Sequence, residues 1–441
     1  MSDLRGYLRA LEKAGELRVV KKPVSKKYEI AAVTARADGS DALLFENVRG
    51  SGFRVVSNLV GTRGRFARAI GSRADKIHEG MAAALAKQGR PRMVKGARFL
   101  ENTLSDASGL PVVTHFEKEP GPFITSSIAY ARNPDTGAQN SSFHRLMPID
   151  GSHFSIRMVE GRHLHRCFVD AAEHGEDLKV AVVVGVHPAV AIAGAYQADW
   201  GKDEMELAAG ILGGRLSLAQ CPQTGLNVPA GSEIVMEGRI LRDRTHEEWM
   251  VEMLQTYDHK RKQPVFELDR LHHRDDPIFH DVLAGYSEHR LLMGMPVESK
   301  INTVLKGAFP GVRGVSMTGG GCSWLHAVVQ ASKKKEDEPR KIIKKTFEAH
   351  RSLKQVTVVD EDIDPGSAEQ VEYAMATRFQ ADRDLVIIRD VRGSSLDPSS
   401  DQKNLKTAKM GIDATRPLRK RPEGFEIARI PGLKRTSLEN Y

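Results

Sequence analysis

Between Asn140 and Arg166 the chain sets amide, imidazole and guanidinium groups close together. Asn-Ser-Ser-Phe-His-Arg stands at one end, and Arg-His-Leu-His-Arg begins at Arg162 at the other. A hard cation takes oxygen ligands, and a borderline one accepts imidazole as well. A phosphate takes arginine and backbone N–H groups. The segment offers both, so it reads as the floor of a site for a metal ion and a phosphate-bearing cofactor. Asn140, His163 and Glu204 form a donor set suited to Mn2+ or Mg2+, with room left for phosphate. Spacing alone does not select these three among 16 histidines and many glutamates. A capping Asn, a surface His and a helix-face Glu would look the same, and Glu206 competes with Glu204 on one helix.

Arg145 with Glu247 and Glu252 is the second constellation. Of two carboxylates, one can donate a proton while the other sets the charge. An arginine between them holds one ionised and can clamp a substrate carboxylate. Five residues apart on a helix the two glutamates would diverge by about 140°, so they need an extended or irregular segment to meet. Thr318-Gly319-Gly320-Gly321-Cys322 lacks the lysine of a phosphate loop and the glycine spacing of a dinucleotide fold, and reads as a tight interdomain turn.

The elements that must position these residues fall into three groups. Leu4, Leu8 and Leu11 follow helical spacing before Gly15. Strands are expected at 17–20, 42–45 and 54–57 and helices at 66–70 and 77–86, giving an α+β region over 1–105. From 106 to 300 the pattern is β-rich. Apolar runs at 180–186 and 190–195 and a strand at 233–238 surround one helix candidate at 204–212, as in a split β-barrel. From 301 to 441 strands at 356–359 and 385–388 alternate with a helix at 368–378, an α/β domain with a basic tail.

Composition narrows the function classes. The 441 residues carry a net charge of +8, with 40% hydrophobic and 28% charged residues. The positive excess sits in 333–345 and 416–421, with a smaller cluster at 21–27, and no aromatics interleave with it to stack bases, so no nucleic-acid partner is expected. No apolar run reaches the ~18 residues of a membrane span, and the N-terminus has no signal-peptide core. Cys167, Cys221 and Cys322 lie far apart, which fits a reducing, cytoplasmic compartment.

The chain resembles the UbiD-type decarboxylases, which depend on prenylated FMN. The likeness runs through Leu4-Arg5-Gly6-Tyr7-Leu8, Ala42-Leu43-Leu44-Phe45-Glu46-Asn47, Asn58-Leu59-Val60-Gly61-Thr62, the stretch Pro229 to Gly238, Asp360-Glu361-Asp362-Ile363-Asp364-Pro365 and Gly411-Ile412-Asp413-Ala414-Thr415. It implies that Asn140, His163 and Glu204 hold the metal and the cofactor phosphate. Ala209 replaces a family glycine beside Glu204, so an ungapped register would put Met205 there instead. It implies that Arg145, Glu247 and Glu252 are the catalytic triad, in a segment that keeps the five-residue spacing and loses the family's glycines and prolines. Phe143, His144, Arg157, Met158, Val159 and Arg162 take the cofactor-contact positions.

The implied reaction is reversible decarboxylation of an aromatic or heteroaromatic acid. The cofactor accepts the electrons as CO2 leaves, and Glu252 then protonates the carbon. Arg-His-Leu-His-Arg from Arg162 and the segment from Glu288 to Gly294 resemble the branch acting on furan- and pyrrole-type acids, whose second carboxylate or ring N–H needs a polar partner; His289 and Arg290 are candidates for it. Mn2+ or Mg2+ is the implied metal, with K+ as a further ion. A flavin prenyltransferase is the implied cofactor supplier, and a dimer or hexamer of the chain the implied assembly. Alternatives are a flavin-binding or maturation protein without chemistry and an ordinary FMN oxidoreductase on a split barrel. Lys403, Lys406 and Lys409 stand as unordered phosphate candidates.

Overall fold

The computed structural model describes residues 2–86, 89–196, 198–428, 430 and 431. The chain divides into two compact units, Met1–Lys300 and Ile301–Tyr441.

The first unit starts with helix Leu4–Lys13. The Asp3 carboxylate caps it by accepting the Gly6 N–H at 2.9 Å, and Leu4, Leu8 and Leu11 face inward. Gly15, at φ +69°, lets the chain turn left-handed out of the helix into strand Leu17–Val20. That strand opens a four-stranded sheet ordered Leu17–Val20, Ala42–Phe45, Arg54–Ser57, Ile278–Asp281. The last strand comes from far down the chain and pairs in parallel with Arg54–Ser57. The α+β region at 1–105 is therefore stitched to the β-rich region at 106–300 within one unit.

The main sheet of this unit has eight strands. Its path runs Gln139–Phe143, Ile128–Arg132, Leu178–Val184, Ile234–Glu248, Arg261–His273, His153–Ile156, Leu146–Pro148, with Asn102–Leu104 pairing beside Arg261–His273. Leu178–Val184 is buried at every position but Lys179, as expected for a strand covered on both faces. The fold is α+β, but the sheet is not a closed barrel. Its two ends, Gln139–Phe143 and Leu146–Pro148, do not pair with each other. Only His144 and Arg145 separate them along the chain, so the polypeptide crosses the split there. A single bridge, Ile124 with Leu146, and the His144 N–H donated to the Ser127 carbonyl at 3.1 Å hold this seam.

Strands Ile234–Glu248 and Arg261–His273 form a long ribbon with irregularities after Glu237 and Leu241. At the first, Gly238 comes so close to its neighbour that a Cβ would lie 1.9 Å from the Glu267 carbonyl oxygen.

The apolar run 190–195 is not a strand. It belongs to helix Pro188–Ala195, with Pro188 in the first turn and the His187 imidazole accepting the Ala189 N–H at 3.0 Å. The small residues Ala and Gly let this helix be buried along its length, and the His-Pro pair is its start signal.

In the second unit a five-stranded sheet runs Val312–Met317, His326–Ala331, Gln355–Val359, Lys406–Ala414, Leu385–Arg392. The three central strands are parallel and the outer two antiparallel to them. Thr318 to Cys322 form the turn between the first two strands, with Cys322 at φ +55°, so the glycines serve a hairpin inside this unit rather than an interdomain turn. Arg378, fully buried, binds Asp360 at 2.5 Å and Asp362 through two contacts of 2.8 and 2.9 Å, which makes the acidic motif a structural clamp. Among the described residues no helix is long and apolar enough to cross a membrane, and the three cysteines are unpaired.

Gly238→Ala will destabilise the chain by about 2 kcal/mol, read by chemical denaturation, because the added methyl meets backbone rather than a movable side chain. Burial pushes the His187 imidazole down to about 4 from an ordinary 6.5. Below pH 6.5 the unfolded chain binds a proton that the folded chain refuses, so stability is present above 6.5 and is lost as pH falls toward 4. His187→Asn, which keeps a capping group, will flatten that fall in a series of melting curves.

Candidate active site

A cavity of about 310 Å3 lies in the first unit along the seam of the main sheet. His144, in the crossing, is buried and held at both ring nitrogens. Its Nδ1 lies 2.7 Å from the Arg157 carbonyl and its Nε2 2.9 Å from the Ser142 hydroxyl. A carbonyl only accepts, so Nδ1 carries the hydrogen and Nε2 accepts from Ser142. Burial pushes this imidazole down to about 4, which keeps it neutral.

Arg145, next in the chain, extends a nearly buried guanidinium into a cluster of three carboxylates. Its Nε and Nη2 donate to the two oxygens of Glu248 at 3.0 and 2.9 Å, a bidentate pair. Its Nη1 donates to Glu252 Oε1. Asp258 Oδ2 lies 3.6 Å from Nη2, while Asp258 Oδ1 accepts from Arg261 at 3.0 Å. Burial would push the Arg145 guanidinium down, but Glu252, Glu248 and Asp258 outweigh it and hold its proton more tightly than usual. Burial acts to raise Asp258, yet the Arg261 and Arg145 guanidiniums bring it below the usual carboxylate range.

Glu247 does not join this cluster. It stands opposite Lys262 on the ribbon and is exposed, whereas Glu248 is buried. Successive residues of a strand face opposite sides, so one residue decides which carboxylate meets Arg145. Glu252 sits on the turn that follows, where its N–H donates to the Thr256 carbonyl at 2.9 Å and its carbonyl accepts from Gln255 at 2.8 Å. Gly285, at φ +76°, packs under this turn, and a Cβ there would lie 2.4 Å from Gln255 Cγ. Glu252 keeps 24% of its side chain exposed and lines the cavity.

At another part of the same cavity the structure brings Asn140, His163 and Glu204 together. Asn140 Nδ2 lies 3.2 Å from His163 Nδ1 and 2.9 Å from Glu204 Oε1, and His163 Nδ1 lies 3.8 Å from Glu204 Oε1. Glu204 is 2% exposed and sits at the start of helix Glu204–Ile211, capped by Asp203. Burial pushes its carboxyl up to about 7, against the pull of the Ser141 N–H at 2.9 Å. His163 opens helix His163–Glu173; burial and the nearby Arg166 and Arg162 push it down, so it is neutral. Trp200 packs edge-on against its ring at 5.1 Å and carries Arg166 over its own face at 5.2 Å. An amide oxygen, a neutral imidazole and a buried carboxylate fit a divalent cation, whose charge would favour ionised Glu204. The amide then turns its oxygen inward, since O and N of Asn are interchangeable by a flip. Among the described residues no group of three His, Cys, Asp or Glu side chains could hold a metal ion, and this set has two such side chains and an amide. Glu206 and Met205 do not line the cavity.

Phe143, His144, Arg157, Val159 and Arg162 line the cavity. Met158 does not: its side chain is 3% exposed and packs into the sheet's core, because it faces the other way from its two neighbours. His289 lines the cavity and accepts the Gly285 N–H on Nδ1 at 3.1 Å, and burial pushes it down to about 4. Its Nε2 therefore carries the ring hydrogen. Arg290 lies outside the lining residues. Of the three lysines considered for phosphate, Lys406 pairs with Asp390 at 2.8 Å, and Lys409 is buried over the Phe347 ring, both within the second unit. Lys403 is exposed. Glu248, Asp258 and Thr125 are among the site residues that sequence reasoning missed, along with the apolar lining residues Met250, Val251, Val282, Ala284, Leu292 and Met293. Strand alternation points to Glu248; nothing local points to Asp258 or Thr125.

Family comparison gives three contiguous matches. They are the 3-octaprenyl-4-hydroxybenzoate carboxy-lyase (UbiD) N-terminal domain at 8–85, its Rift-related domain at 90–287 and its C-terminal domain at 290–414. An anhydromevalonate phosphate decarboxylase of Methanothermobacter thermautotrophicus is 39% identical over 92% of this chain and 96% of its own. The UbiD-class enzyme HmfF from Pelotomaculum thermopropionicum, solved with FMN, superposes with a TM-score of 0.96 at 38% identity over the whole of both chains. An evolved dimeric form of that enzyme, solved with prenylated FMN, gives 0.92 at 36%, covering 100% of this chain and 99% of that one.

Glu248→Ala leaves a buried guanidinium short of its bidentate partner and will cost about 3 kcal/mol of stability. Glu247→Ala, on the solvent side of the same strand, will change stability by under about 0.5 kcal/mol. Urea denaturation of the two variants in parallel checks the assignment.

Proposed function

The chain belongs to the UbiD carboxy-lyase family and is a decarboxylase, and on that premise we propose that it takes heteroaromatic acids of the furan or pyrrole type, with prenylated FMN and a divalent ion. The observation that carries this reading is one cavity lined both by Asn140, His163 and Glu204 and by Arg145 and Glu252, with Glu248 behind Arg145. Solved relatives hold FMN and prenylated FMN.

Asn140, His163 and Glu204 would hold Mn2+ or Mg2+ against the cofactor phosphate. Phe143, the neutral His144, Arg157, Val159 and Arg162 would contact the cofactor. When bound, prenylated FMN supplies an acceptor for the electron pair left when the bond to CO2 breaks. Arg145 orients Glu252 through Nη1 and is itself fixed by Glu248, so one Glu252 oxygen stays directed by the guanidinium. Glu252 is the group placed to hand a proton to the carbon that loses CO2, and to take one in the reverse direction. Met250, Val251, Val282, Ala284, Leu292 and Met293 make an apolar wall that limits water around that transfer.

The substrate class rests on the same wall. The His289 Nε2–H offers a donor for a ring heteroatom or second carboxylate. A flavin prenyltransferase would supply the cofactor, and the chain would assemble as a homo-oligomer, as the dimeric solved relative does.

The test is co-expression with a flavin prenyltransferase and a CO2-release screen over furan, pyrrole, benzoic, cinnamic and phosphorylated branched enoic acids. Release from the furan or pyrrole acids is expected. Glu252→Gln will lower kcat by about 100-fold or more while flavin remains bound. Release from the phosphorylated acid alone overturns the substrate class. No release from protein whose flavin has the prenylated mass overturns the reaction.

A further inference from the structure

Three ionisable side chains that the reaction does not use lie directly behind the cavity wall. His115, Glu119 and Asp281 are each 0% exposed at the side chain. His115 Nε2 meets Asp281 Oδ1 at 2.9 Å, and the Thr125 hydroxyl donates to the same oxygen at 3.3 Å. Thr125 in turn accepts the Val282 N–H at 2.9 Å. Glu119 Oε2 accepts the His115 and Phe116 N–H groups at 3.2 and 3.1 Å, and its Oε1 accepts the Val251 N–H at 3.5 Å. His115 Nδ1 and Asp281 Oδ2 have no hydrogen-bond partner, so the pair leans on one contact. Burial acts to lower the His115 imidazole, but the charges of Asp281 and Glu119 reverse this and raise it.

Desolvating three such groups is unfavourable before they pair. What the charges add is direction. Segment 115–119 straps the turn that bears Glu252 at three points. These are the Glu119 contact with Val251, the Trp249 indole N–H donated to the Lys118 carbonyl at 2.6 Å, and the Lys118 N–H donated to the Tyr257 hydroxyl at 3.2 Å. His115 ties that strap to Asp281, and the chain just beyond Asp281 reaches Gly285, which packs against Gln255 and the Glu252 carbonyl. The same turn is thus gripped from two sides, and the grips are joined by one buried contact.

We propose that His115, Asp281 and Glu119 are positioning residues that hold the Glu252-bearing turn at its working distance from Arg145. The proposal rests on Glu252 as proton donor, but its effect on the turn can be read without turnover.

Asp281→Asn keeps the shape and removes the charge. Glu119→Ala, at the other end, keeps the test open if the first variant folds poorly. Each is purified with bound flavin and compared with the parent in two measurements. Amide hydrogen exchange over 249–258 is expected to speed up by about tenfold or more while exchange in strand Leu178–Val184 stays put. On an acid that the parent turns over, kcat is expected to fall between about 10- and 100-fold with KM within twofold and flavin content unchanged. Unaltered exchange over 249–258 in both variants overturns the proposal. So does a loss of kcat that merely tracks lost flavin. If the parent releases CO2 from no acid, the decarboxylase chemistry assigned to Glu252 fails, while the exchange result still decides whether the cluster holds the turn.

Discussion

A nearly buried guanidinium organises this site. Arg145 stands where the chain crosses the split in the main sheet, between strands Gln139–Phe143 and Leu146–Pro148. The crossing allows two residues, so Arg145 has little freedom to swing toward solvent. A buried cation must be compensated locally, and Glu248, Glu252 and Asp258 all converge on it. Buried pairs of this sort add little net stability but penalise every misplacement. The long ribbon, its irregularities and the turn at 250–258 must therefore end where those carboxylates meet one guanidinium.

The three carboxylates are not equivalent. Glu248 is taken up by two parallel hydrogen bonds and is 1% exposed, which suits a fixed counter-charge. Asp258 is shared with Arg261 and is held below the ordinary carboxylate range. Glu252 has one arginine contact and more access to the cavity than either, which leaves it the only one of the three free to exchange a proton with a ligand. Division of labour here follows from hydrogen-bond count and exposure, not from residue type.

Much of the frame was legible in the residues. The leucine spacing before Gly15, the strands at 42–45 and 54–57 and the α/β alternation after 301 are local patterns, and the structure has them. Asn140, His163 and Glu204 were reachable only through family likeness, since no spacing rule joins a strand residue to two helix starts. The motif points to Glu247 while the strand turns Glu248 toward Arg145, because a motif read as a string ignores the pleat and a one-residue slip turns a strand side chain to the other face. The run at 190–195 looked like a strand because small apolar residues carry no period. Pro188 after a capping His187 was the overlooked sign. His115 and Asp281 left no trace at all, because a contact made across so many residues of chain has no local signature.

His144 shows why the two halves of the site belong to one device. Asn140 lies on the strand before the crossing, and Arg145 lies at its end, so one short stretch of backbone carries both groups. His144 anchors that stretch by bonding Ser142 on one side and the Arg157 carbonyl on the other. The arrangement works only for a neutral ring. A second proton would make Nε2 a donor, so it could no longer accept from Ser142, and would place a charge beside the Arg157 guanidinium. Burial, which pushes this imidazole down to about 4, thus protects a hydrogen-bond pattern as well as a protonation state. The same desolvation that makes Arg145 dependent on its carboxylates also keeps its neighbour uncharged, and both follow from where the sheet is split.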